Sequence, residues 1–126
     1  MRSTKVEKFE DLIVWQKAHE LAIEVYRITS QERFCRDFGL RDQIQRAAVS
    51  VMSNIAEGFE RYSRLEFRQF LSVARGSVAE VRSQLHLARS LKYVTGEDFE
   101  TIYYLCKDIS NLIGALRKSL ERSDES

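Results

Sequence analysis

Phe67, Leu71, Ala74, Val78, Val81, Leu85 and Ala88 stand four and three residues apart in strict alternation. Only an α-helix gathers such a spacing into one stripe. The alternation returns in Phe99, Ile102, Cys106, Ile109, Ile113, Leu116 and Leu120. A 3.5-residue period calls for helices packed nearly parallel with a left-handed supercoil. The 126 residues contain no proline and five glycines, which argues against a turn-rich β fold. The expectation is an all-α, antiparallel, up-down four-helix bundle, formed by residues 1–126 as a single domain.

Two further segments complete the set. Leu12, Trp15, Ala18, Ala22, Val25 and Thr29 define a helix over about 10–30. Leu40, Ile44, Ala47, Val51 and Ile55 define a second over about 40–58. Gly58 reads as its left-handed terminal residue. Phe34 and Phe38 suggest that the loop Ser30 to Gly39 packs back on the body. Ser63-Arg64-Leu65-Glu66 has the form of a capping box and opens a helix over about 64–94, roughly 46 Å long. Thr95 can cap the last helix, about 97–121, with Glu97 and Asp98 at the positive end of its dipole. The tail Arg122 to Ser126 is polar and should fray. Phe70, Leu91, Tyr103, Tyr104, Leu105 and Leu112 widen the third and fourth apolar stripes, which suggests self-association.

Charge is balanced overall, at +1, and this lacks the large positive excess of many nucleic-acid binders. Its placement is uneven. Residues 61–95 carry seven basic and two acidic side chains. Arg61, Arg68, Arg75, Arg82 and Arg89 recur every seven residues, at the e positions flanking the third seam. In one reading they pair with acids such as Glu20, Glu24, Glu97, Glu100 or Asp108. In the other they form a stripe, about 42 Å long, that tracks phosphates.

A polar cluster interrupts the second segment: Gln43, Arg46, Ser50, Ser53, Asn54 and Glu57. A hydrogen-bonded network that sets helix register is one reading. A ligand or RNA site is the other. His19 and His86 stand outside any metal-ligand spacing, so neither a metal nor another cofactor is expected. Cys106 occupies a seam position. Cys35 lies between Arg33 and Arg36 with no partner base apparent. No phosphate-binding glycine loop or nucleophile elbow occurs, and no enzyme is expected. No apolar run nears the ~20 residues of a membrane span, and the first fifteen residues lack a signal-peptide core. With no disulfide framework, a cytoplasmic protein is the expectation.

Particular runs carry a resemblance. They are Phe9-Glu10-Asp11-Leu12, Val14 to Ala18, Val25-Tyr26, Gly39-Leu40 with Gln43, and Arg46 to Ser50 leading to Ser53-Asn54-Ile55-Ala56-Glu57-Gly58. Phe70-Leu71, Ala74, Gly76-Ser77 and Glu80 complete the pattern. Over about residues 9–120 the chain resembles the four-helix-bundle family named for the 23S rRNA intervening sequence. Met52 stands where that family usually has proline, so the second helix should be straighter here. The resemblance implies a homopentamer. A related group, the accessory proteins of diversity-generating retroelements, binds nucleic acid through a basic surface. Two functions follow as expectations: a non-enzymatic oligomer that binds RNA, weakly, or an RNA-processing partner, and a scaffold that binds only protein.

Overall fold

A computed structural model describes residues 6–125, with side chains through residue 121. Residues 1–5 of the expected domain, and Ser126 of the tail, lie outside the described residues. Four helices follow in order: α1 (Ile13–Thr29), α2 (Phe38–Phe59), α3 (Arg64–Ser90) and α4 (Gly96–Glu125). Single 3₁₀ turns at Phe9–Asp11 and Phe34–Arg36 precede α1 and α2. Each helix packs on its neighbours in sequence, and α1 also packs on α4, so the four close into a square. The α2–α3 seam is the most extensive.

The seams turn inward as their spacing requires. Leu71, Ala74, Val81, Leu85, Ile102, Cys106, Ile109 and Ile113 have no solvent exposure, nor do Leu21, Val25, Ile44, Val51 and Ile55 on the facing helices. Burying such side chains is the main favourable term in folding. Much of the extra apolar width on α4 is absorbed the same way. Leu105 is buried, and Tyr103, Leu112 and Leu116 pack against the core.

Helix starts follow local chemistry. Ser63 Oγ accepts the Glu66 amide at 3.2 Å, and Thr95 Oγ1 accepts the Asp98 amide at 3.0 Å. Asp37 caps α2 through the Leu40 amide at 3.1 Å. Phe34 is fully buried and packs on Tyr93, whereas Phe38 is exposed and lies under the Arg41 guanidinium.

The helix ends depart from expectation. Gly58 is not left-handed; it lies inside α2, buried against α3. A Cβ there would sit 2.6 Å from Phe70 Cβ, so the hydrogen side chain is needed for close helix approach. α3 stops at Ser90, not Val94, and its 27 residues make it about 40 Å long. Lys92 takes the left-handed conformation (φ 63°). Its amide donates to the Arg89 carbonyl and the Tyr93 amide to the Ala88 carbonyl, each at 2.9 Å. This is a Schellman motif with lysine where glycine is usual. α4 continues through the expected frayed tail to Glu125. α2 runs unbroken through Met52.

Candidate functional site

Of the five arginines, Arg75, Arg82 and Arg89 meet α4 side chains other than carboxylates and so lie along the α3–α4 edge, whereas Arg61 reaches Glu57 of α2. Arg61, in the turn before α3, is paired with acids, at 2.8 Å from Glu57 and 3.8 Å from Glu66. Its guanidinium also covers the Phe70 ring at 5.0 Å. Arg75 donates through Nε to Ser110 Oγ at 3.0 Å. Arg82 lies 5.3 Å from the centre of the Tyr103 ring and Arg89 4.5 Å from that of Phe99. Arg68 presents its carbonyl to Arg117 Nε at 3.4 Å. Among the described residues, Arg75, Arg82 and Arg89 have no ion-pair partner. Of the expected acids, Glu24 pairs with Arg27, which also reaches Asp98 at 2.9 Å.

Aromatic faces do the work expected of carboxylates. Cation–π contact holds a guanidinium in place without neutralising it. Lys107 adds a further cation over the Tyr103 and Tyr104 rings. Arg117 and Lys118 extend the strip toward the C-terminal end of α4. The result is a row of positive charge, Arg75, Arg82 and Arg89, that is fixed by packing and has no carboxylate partner among the described residues.

The polar cluster of α2 divides. Asn54 Nδ2 donates to the Ser50 carbonyl at 2.8 Å and to Ser50 Oγ at 3.0 Å. Ser50 Oγ bonds Ser77 Oγ of α3 at 2.9 Å. Ser77 is 7% exposed and completes the network, although it was absent from the sequence-based cluster. Its place between Ala74 and Val78, on the flank facing α2, was the available signal. Gln43, Arg46 and Ser53 face solvent and do not join, and Glu57 belongs to Arg61 instead. Gln84 Oε1 is buried without a hydrogen-bond partner.

The isolated histidines pack on rings. His19 stacks on Trp15 at 5.0 Å, and His86 meets the edges of Phe99 and Tyr103. Burial pushes the Cys106 thiol up to about 12, so it remains a neutral core group. Cys35 donates to the Glu32 carbonyl at 3.3 Å, while its neighbour Arg36 pairs with Glu32 and Arg33 lies over Tyr93. No described helix is long and apolar enough to cross a membrane.

On the opposite edge, between α1 and α2, the surface is apolar. Ile23 is 55% exposed and Tyr26 50%. With His19, Ala22 and Met52 they line a shallow depression of about 380 Å³.

Comparison with known proteins agrees with this architecture. A solved structure of a protein of unknown function, from the S23 ribosomal protein family of Bacteroides thetaiotaomicron VPI-5482, superposes with a TM-score of 0.77. The two are 28% identical, over 84% of this chain and 99% of the other. No curated protein matches. The family model for the 23S rRNA-intervening sequence protein matches residues 10–115, nearly the whole of the four-helix body. The chain therefore belongs to the 23S rRNA-intervening sequence protein family.

Proposed function

We propose that this protein is a non-enzymatic bundle that binds RNA along the α3–α4 edge. The observation that carries this reading is the state of Arg75, Arg82 and Arg89. They are ordered against Ser110, Tyr103 and Phe99 and lack carboxylate partners among the described residues. A polyanion supplies the missing charge. Contacts of this kind go to phosphates and read no base, so binding is weak, independent of sequence and steeply dependent on salt. The test is a binding isotherm for a structured RNA at several salt concentrations. Changing Arg75, Arg89 and Lys107 to glutamine should weaken every RNA alike. The salt slope should fall by about 0.9 per lost duplex phosphate contact, or ~0.7 for a single strand. Unchanged binding by a folded triple variant would dismiss the edge as a phosphate track.

A second reading rests on the α1–α2 edge. Exposed Ile23 and Tyr26 beside Met52 suit a protein surface, and a homo-oligomer, with a pentamer as the expected form, is the proposal for it. Such an assembly repeats the cationic edge and raises avidity without new contacts. A single-protomer mass by sedimentation equilibrium at micromolar concentration would remove the proposal.

A further inference from the structure

One part of the α3–α4 edge is concave. A notch of about 570 Å³ is lined by Arg75 of α3 and by Asn111, Gly114, Arg117, Lys118 and Glu121 of α4. Three cations against one carboxylate make it positive. Both arginines are held by Nε alone, Arg75 by Ser110 Oγ at 3.0 Å and Arg117 by the Arg68 carbonyl at 3.4 Å. Their terminal nitrogens have no hydrogen-bond acceptor among the described residues. Two guanidinium forks are thus oriented in advance, with their best donors unspent.

Gly114 forms the floor. A Cβ at this position would lie 3.4 Å from Arg75 Nη2 and 3.5 Å from Nη1. The missing side chain lets the guanidinium rest against the α4 backbone and keeps the notch open. Asn111 stands one turn earlier and offers an amide donor at the rim.

We infer that this notch seats one phosphate group of an RNA backbone, gripped by Arg75 and Arg117, with Lys118 and Asn111 at its rim. The inference rests on the RNA reading of the α3–α4 edge and gives that edge its anchoring point. It explains why a helix rich in large residues carries glycine opposite an arginine. Arg82 and Arg89, spread on aromatic rings, then act as flanking charge.

Two variants test the notch without touching its cations. Gly114→Leu fills it, keeps every charge and favours helix. Asn111→Asp changes an exposed side chain and sets a carboxylate at the rim. The full-length chain is titrated with inorganic phosphate by amide NMR, and with a short single-stranded RNA by fluorescence anisotropy. Phosphate should shift the amides of Ser110, Asn111 and Gly114. Each variant should weaken RNA binding about tenfold and flatten the salt slope by ~0.7, one phosphate contact. Full RNA affinity in both variants overturns the notch while leaving the wider edge as the RNA surface. If Gly114→Leu disturbs the fold, Asn111→Asp alone decides. Phosphate shifts in a wild-type protein that binds no RNA overturn the RNA source and assign the notch to free phosphate. Binding of polyglutamate in place of either phosphate probe overturns the inference altogether.

Discussion

Lys92 and Tyr62 are the described non-glycine residues with left-handed backbone, at φ 63° and 61°. A side chain in that conformation costs about 1–2 kcal/mol. Lys92 closes the Schellman motif, where its side chain is exposed and its amide does the bonding. Lys92→Gly should therefore raise stability by ~0.5–1 kcal/mol, after the larger unfolded-state entropy of glycine is subtracted. Urea denaturation with an unchanged slope would measure this. A lower midpoint would mean that the lysine side chain contributes more than its backbone strain removes. Gly58 poses the reverse case. Alanine is favoured over glycine by ~1 kcal/mol in a helix interior. Here the added Cβ meets Phe70 Cβ at 2.6 Å, an overpacking that costs ~1–3 kcal/mol. Gly58→Ala should lower the melting temperature, and a rise would show that α2 and α3 separate freely. These positions also mark where sequence reasoning fails. Glycine after an apolar run signals a helix end, and by that rule Gly58 reads as one. The true end of α3 bears lysine, and the usual rule cannot see it. Asn54 and Ser50 were legible as a polar break in an apolar helix, but Ser77 reads as one more small seam residue until α2 lies beside it.

Between elements, a few polar ties join what the seams align. Asp37 serves two helices: one oxygen caps α2 and the other accepts the Tyr93 hydroxyl at 2.9 Å, beyond the end of α3. That bond holds the Tyr93 hydroxyl above the usual phenol range. Tyr93→Phe should lower stability, while Asp37→Ala, which loses cap and tie together, should lower it further. Calorimetry of both variants checks the order. Equal losses would mean that the cap is idle, and an unchanged Tyr93→Phe would mean that the tie is. Across the α1–α4 seam, Arg27 donates to Asp98 at 2.9 Å and holds its carboxyl below the usual range. A carboxylate with a depressed folded-state pKa adds stability above its unfolded value, near pH 4, and that contribution fades as pH falls through the folded value. Asp98→Asn should flatten the fall in stability between about pH 5 and pH 2. An identical acid profile in the variant would show that the pair is fully screened. Periodicity made the helices legible because it depends on local spacing. The ties were not, since Asp37 and Tyr93 stand far apart in sequence and neither follows a pattern.

At the scale of the whole molecule, two edges of the square differ in kind. The α3–α4 edge carries cations fixed on aromatic rings, and the α1–α2 edge carries exposed Ile23 and Tyr26. The sevenfold arginine spacing was readable in advance, and so was its place beside the seam. Spacing alone does not choose the partners: e-position arginines suggest acids, while α4 presents Tyr103 to Arg82 and Phe99 to Arg89. Opposite edges can act independently, and this yields the last prediction. Ile23→Glu with Tyr26→Ser places charge and polarity on the apolar edge without altering a buried residue. If that edge joins copies of the chain, the pair of changes should reduce the mass seen in sedimentation to one protomer. RNA affinity should then fall through lost multivalency, yet the salt slope per protomer should stay as it was, because each arginine edge is intact. The Arg75, Arg89 and Lys107 variant should do the opposite, keeping the assembly and losing the slope. A charge variant that dissociates the oligomer would assign the α3–α4 edge to subunit contact, and the arginines would then meet protein rather than phosphate.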